Sequence, residues 1–399
     1  MRVLWWVIGL GLLLVACSKT PQYSGSSITL PPPPDTTNKN AQAIYAVLPV
    51  YANAARYAWK PIQTTTPMRL GRHYTEVPEI RDRLITLNDL PKLVASASTL
   101  YDATLAQGIT RFQMINDLPA TGRLDQDTLT ALNISPVARY NTLLHSMHQW
   151  MEYPQDSGSR YILVNIPAYQ LQLVEHGYVM WKSPVIVGRP TRPTPMLSSN
   201  IVTVVFNPTW TVPKTILSRD VIPGMQKNPN YLHEHYDMRV YANCEKDAAE
   251  IDASTIDWQN MRLANFPYCV RAPAGEKNPL GRIKFIFGNK YDVYLHDTPE
   301  KSIFNLSKRV RSSGCIRLEN PQMLVHYFGF DNDNLKPELV VQYLSTLDTK
   351  QVGLKNPMPI YIVYILNWVD SQGRVIFGKN IYENGVVPHH LEPTTLQDL

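Results

Sequence analysis

Apolar and polar positions along the chain fall into distinct textures. Val3 to Val15 is an unbroken apolar run behind Arg2, too short to span a bilayer comfortably, as a secretory h-region is. Residues 18–40 are rich in Ser, Thr, Pro and Asn, with Pro31 to Pro34 in succession, and read as a tether, stiff at the proline run. From Ala41 to about residue 155 the apolar spacing is helical. Val77 to Leu87 and Thr99 to Asn116 carry apolar residues three to four apart, with Leu105, Ile109 and Phe112 on one stripe. A loop at Gly122 and a short helix at Asp125 to Leu132 follow, Asp125 and Asp127 being helix-start residues. Gln155 to Ser159 reads as a linker.

From residue 160 the period changes to two. Tyr161 to Ile166, Leu171 to Val174, Tyr178 to Trp181 and Ile201 to Phe206 read as strands, the second and third joined by a hairpin turn at Glu175-His176-Gly177. Ile283, Phe285 and Phe287 share one strand face, and Gly288-Asn289 turns that strand into Tyr291 to His296. Pro359 to Trp368 and Arg374 to Gly378 add a late hairpin around Ser371-Gln372-Gly373. Residues 218–264 interrupt the strands with a long, partly polar stretch of the kind that forms a lid or binding loop. The fold class is therefore α+β: a helical region, then a mostly β domain from 160 to 399.

Composition narrows the partners. The net charge of +5 is mild for 399 residues, and no Lys/Arg block or zinc-finger spacing occurs, so nucleic acid is excluded as the main partner. The 32 prolines oppose an all-helical architecture. Leu14-Val15-Ala16-Cys17 resembles a bacterial lipobox. That resemblance implies a signal cut before Cys17, a lipidated cysteine and a membrane anchor. Ser18 after it implies the outer membrane, by analogy with Gram-negative lipoprotein sorting.

Of the four cysteines, Cys17 is assigned to lipid. Cys244 and Cys269 are either a disulfide or two buried thiols, with neither favoured. Cys315 is left over, which in an exported protein marks a candidate reactive thiol. On a strand, Val293 and Leu295 face one way, and Tyr294 and His296 the other. Ser312-Ser313-Gly314 is a small-residue turn that leaves Cys315 accessible, and Gly314 lets backbone approach a substrate. Asn320-Pro321 starts a helix as cap and first residue. A thiol needs a base, which His296 supplies, while Arg317 and the amides near Gly314 and Cys315 suit a thiolate or an oxyanion. His233-Glu234-His235 and His389-His390 lack the further ligands a zinc site needs. No cofactor is implied.

His296-Asp297-Thr298-Pro299 followed by Ser312-Ser313-Gly314-Cys315-Ile316-Arg317 resembles the active-site signature of L,D-transpeptidases, the YkuD-type catalytic domain. The likeness is nearest to the long YcbB-like branch. It extends through Asn278 to Phe285 upstream, and through Pro359 to Tyr364 and Asn367 to Asp370 downstream. It implies a periplasmic enzyme whose cysteine, Cys315, attacks the bond after the third residue of a peptidoglycan stem with His296 as base. D-alanine leaves, and an amine of another stem takes the acyl group. Arg317 is then a site-shaping or substrate-contacting residue. The resemblance also implies acylation of Cys315 by carbapenems. Ser313 stands where shorter members carry histidine, and a backbone carbonyl of Arg311 to Gly314 is expected to orient His296 in preference to Asp297.

Phe112-Gln113, Leu118, Thr121 to Leu124 and Thr128 to Asn133 resemble a three-helix peptidoglycan-binding module, in which Phe112 and Leu132 are core residues. The stretch 218–264 falls where the YcbB-like branch has a capping loop. Trp258 there either stacks on a stem peptide or anchors the loop. Two further acyl acceptors, water (an L,D-carboxypeptidase) and a protein amine, share the first half-reaction. A peptidoglycan-binding lipoprotein without catalysis is the alternative of a different class.

Overall fold

The computed structural model describes residues 28–64, 67–92, 97–153 and 160–382. Cys17, the linker 155–159 and His389-His390 lie outside the described residues. The chain divides into two compact units, Met1–Pro34 with Ala43–His145, and Asp35–Gln42 with Ser146–Leu399.

The helices before the first strand are α1 (Lys39–Ala54), α2 (Val77–Thr86), α3 (Ala103–Ile115), α4 (Gln126–Leu132) and α5 (Pro136–Met151). In the first unit Ile80 and Leu84 of α2, Leu105, Ile109 and Phe112 of α3, and Leu129 and Leu132 of α4 are buried, as the three-to-four spacing requires. Asp102 and Asp125 cap α3 and α4, accepting the amides of Leu105 and Thr128 at 2.8 Å each. The fully buried Gln113 holds the Gly122 loop: its amide reaches Thr121, Arg123 and Thr128, and its carbonyl takes the Gly122 amide.

The boundary between units does not fall at the 155–159 linker. The last turns of α5 belong to the second unit because Trp150 Nε1 donates to the Asn367 carbonyl (2.7 Å) and Ser146 bonds the Asn367 side chain (3.0 Å). The tether is also shorter than 18–40. Asn38 accepts the Asn40 and Ala41 amides at the start of α1, and Asn40 takes the Val369 amide at 2.8 Å.

In the second unit the strands are β1 (Arg160–Asn165), β2 (Gln170–Glu175), β3 (Tyr178–Gly188), β4 (Leu197–Phe206), β5 (Trp210–Thr211), β6 (Arg239–Tyr241), β7 (Glu250–Ile251), β8 (Cys269–Ala272), β9 (Ile283–Phe287), β10 (Leu295–His296), β11 (Val310–Ser312), β12 (Ile316–Leu318), β13 (Lys350–Val363), β14 (Asn367–Val369) and β15 (Val375–Phe377). The main sheet runs β11-β3-β12-β10-β9-β4-β13-β1-β2, and β2 pairs back onto β3, so the sheet closes on itself. Its interior holds Ile162, Leu171, Val185, Val204, Phe285, Leu295, Ile316 and Ile360. The helix Pro321–Phe328 covers it with Leu324, Val325 and Phe328; Pro321 opens that helix, although the Asn320 side chain makes no capping bond.

The strand expected over Tyr291 to His296 is only two residues long. Asn289 accepts the Tyr291 and Val293 amides at 3.1 Å and Asp292 turns to φ +54°, which coils the approach to β10.

The stretch expected as a loop at 218–264 is part of a folded subdomain reaching from Trp210 to Leu280. A second sheet, β5-β8-β6-β7, packs with a helical run over Lys214–Lys227 around its own core of Trp210, Leu217, Ile222, Met225, Val240 and Val270. Cys244 and Cys269 are joined in it as a disulfide.

Candidate active site

Alternation along three neighbouring strands builds the site. In β9 Ile283, Phe285 and Phe287 point inward, so Lys284 points out. In β10 Leu295 is inward and His296 outward, and in β12 Ile316 and Leu318 are inward and Arg317 outward. The register places these three outward residues in one row: His296 lies opposite Lys284 on one side and Arg317 on the other. Two residues back along each strand stand Tyr294 and Cys315. The Ile316 amide donates to the Tyr294 carbonyl at 3.1 Å and so fixes their alignment. Tyr294, His296, Cys315 and Arg317 thus share one face, with His296 diagonal to Cys315. Tyr294 packs against both the barrel core and the 210–280 core.

His296 is buried. Its Nδ1 bonds the backbone carbonyl of Asp297 at 2.5 Å. The orienting group is therefore not a carbonyl of residues 311–314: β10 ends at His296, and the chain bends so that the next carbonyl meets the ring. Nδ1 is the donor, which leaves Nε2 as the basic nitrogen. The Asp297 carboxylate is occupied elsewhere, accepting the Arg282 amide (2.9 Å) and Lys301 Nζ (2.6 Å). It fills the space beside Gly281, where any Cβ would lie 2.3 Å from its oxygen. Burial first, then the Arg317 cation, pushes His296 down to about 3, with Lys284 and Lys301 acting in the same direction.

Cys315 is half-buried, and its thiol makes a long contact of 3.8 Å to the Asp292 carbonyl. Burial pushes the thiol up, while hydrogen bonds from Tyr294 and the Lys284 and Arg317 cations pull it down. The resting site holds a neutral thiol and a neutral imidazole, not an ion pair.

The turn before Cys315 is braced. Gly314 adopts φ +118°. Its amide donates to Ser312 Oγ at 3.1 Å, so it is committed within the turn and not free as an oxyanion donor. Its carbonyl takes the Thr194 hydroxyl at 2.8 Å. Ser313 is turned away to accept from Arg192 (3.0 Å) and Arg189 (3.3 Å), and Arg192 pairs with Asp220 of the 210–280 subdomain. Arg317 pairs with Glu300 at 3.0 Å, and Glu300 also accepts the Tyr236 hydroxyl. Trp258 is buried in the subdomain core, its indole N–H on the Ala253 carbonyl at 2.8 Å, so it anchors and does not face a ligand. His233 and His235 lie at a short helix and bond Asp237 and the Tyr231 carbonyl.

Lys284, Arg189, Arg192, Thr194 and Asp220 were not singled out from sequence. Lys284 was findable as the polar residue inside an alternating apolar strand; the others show only as an Arg/Pro-rich run and one acid.

Residues 159–328 match the L,D-transpeptidase catalytic domain, YkuD. This part of the chain is a YkuD-type catalytic domain. Residues 73–132 match a peptidoglycan binding domain, so the first unit carries that module. A Haemophilus influenzae protein provisionally named an L,D-transpeptidase is 33% identical over 221 residues, 55% of this chain; the chain spans 44% of that relative's length. Solved L,D-transpeptidases from Mycobacterium smegmatis (14% identity, 51% of this chain and 59% of that one, TM-score 0.24) and Stackebrandtia nassauensis (13%, 76% and 97%, 0.26) are also similar, at TM-scores too low to bear on the fold.

Proposed function

We propose that the protein is a cysteine-dependent L,D-transpeptidase of the YcbB-like branch, lipid-anchored in the periplasm through Cys17, that cross-links peptidoglycan stem peptides. The carrying observation is the shared outward face of Tyr294, His296, Cys315 and Arg317 within a YkuD-type domain. Cys315 Sγ attacks the carbonyl of the third stem residue as His296 Nε2 takes the thiol proton. Arg317 and the Cys315 amide face the oxyanion, since the Gly314 amide is already bonded. Collapse breaks the amide bond, and the imidazolium gives its proton to the departing D-alanine amine. The thioester is then attacked by an acceptor amine whose proton passes to His296, and collapse returns a proton to the thiolate. Because His296 is held down and the thiol up, proton transfer accompanies attack and does not precede it. The same thiol would open a carbapenem ring and retain its mass.

The test is incubation of purified tetrapeptide muropeptides with the protein and with Cys315→Ala, read by mass spectrometry. D-alanine release and dimers from the wild type alone support the reading. Release without dimers makes it an L,D-carboxypeptidase. Equal inertness moves the non-catalytic binding lipoprotein ahead.

A further inference from the structure

Among the described residues, the basic groups around the site are bonded to protein oxygens, except Lys284 and the Nε of Arg317. Arg317 is bonded to Glu300, Arg192 to Asp220, and Lys301 to Asp297 and the Glu319 carbonyl. Lys284 is half-buried, and among the described residues no carboxylate or carbonyl is bonded to its ammonium. It sits over the Tyr294 ring, Nζ 3.8 Å from the centroid, and the Tyr294 carbonyl is held by the amide of Ile316, the residue after Cys315. Tyr294 and His296 lie edge to face at 5.6 Å. A half-buried cation with no bonded anion is costly unless an anion appears during the reaction, and the Asp292 carboxylate acts on Lys284 only through space.

We propose that Lys284 is the counter-ion of the Cys315 thiolate, a positioning residue that acts across the Tyr294 ring on the charge formed as the thiol is deprotonated. The proposal rests on Cys315 being the nucleophile. The Asp292 carbonyl touches the sulfur, the Lys284 and Arg317 cations act on it from β9 and β12, and His296 stands between those two cations in register. Asp292 opposes by attracting Lys284. The two cations favour the thiolate and disfavour the imidazolium, so they drive the proton onward to the leaving amine. No bond to Lys284 forms or breaks.

The test is the pH profile of Cys315 alkylation by iodoacetamide, read on the Cys315 peptide by mass spectrometry, for the full chain and for Lys284→Met and Lys284→Arg. The expected result is a midpoint raised by about one pH unit in Lys284→Met, and restored by Lys284→Arg. Thermal unfolding of each variant separates this from lost structure: a shifted midpoint in a variant that melts with the wild type supports the counter-ion. An unchanged midpoint overturns it. So does an unchanged midpoint with a raised KM for the stem peptide, which would make Lys284 a contact for a substrate carboxylate. Iodoacetamide needs no stem peptide, so failure of the transpeptidase reading and failure of this one are distinguishable.

Discussion

His296 is a neutral base because the fold buries it between cations, and that has a price in acid. Its folded value of about 3 lies below the ordinary 6.5. As pH falls below 6.5 the unfolded chain takes a proton that the folded chain refuses. The residue's contribution to stability is thus complete above 6.5 and is lost progressively toward 3. The loss is about 2 kcal/mol at pH 5 and on the order of 4 kcal/mol at pH 3. In urea unfolding, His296→Gln should narrow the gap between pH 7 and pH 5 stability by about 2 kcal/mol relative to wild type. Equal gaps would mean that the ring is not held neutral. Cys315 and His296 were legible in the sequence because an odd thiol behind a glycine and a histidine on an alternating strand are local signals. The orienting carbonyl was not, because it depends on the bend after β10. The alternation of its own strand marks Lys284 as outward-facing, but its place beside His296 comes from register across three strands, which one strand's pattern does not carry.

At the scale of elements, the 210–280 subdomain is the largest departure from the sequence reading. Its apolar residues are spaced irregularly between short strands and turns, so no period announces a core. Yet Trp210, Leu217, Met225, Val240 and Val270 pack into one. The Cys244–Cys269 bond closes a loop with a sequence separation of 25, worth about 3 kcal/mol through the unfolded chain. That is a large share of what so small a core supplies. Replacing both cysteines with serine should therefore speed amide hydrogen exchange across 239–272 by about a hundredfold, while β1, β4 and β13 keep wild-type protection. A uniform acceleration over the barrel strands would show that the subdomain does not open on its own. Tyr294 touches both cores, and Arg192 couples Asp220 to the turn before Cys315. A loosened subdomain should for that reason also cost activity.

At the scale of the molecule, the sequence makes legible the order of a helical module and a β domain. It did not give the limits of either, because α5 looks continuous to any periodicity while its last turns are held by Asn367. The same holds for the tether. Residues 36–40 are fastened by the Asn38 and Asn40 side chains, and Thr29 lies against the Tyr140 hydroxyl at 3.5 Å. If Cys17 carries lipid, ten residues separate it from the first described position, Ile28, a reach of at most about 40 Å. The start of the first unit must then lie close to the anchoring membrane. Cys17→Ala should move the protein from the membrane pellet to the soluble fraction, because the apolar run before it is too short to hold a folded domain in a bilayer alone. It should also lower cross-linking in cells while leaving activity on soluble muropeptides unchanged, since soluble substrate does not need the enzyme held at a membrane. Retention of the variant in the pellet would discard the lipid anchor in favour of a membrane-spanning or otherwise bound N-terminus. Loss of activity on soluble muropeptides would mean that the N-terminal segment takes part in the fold.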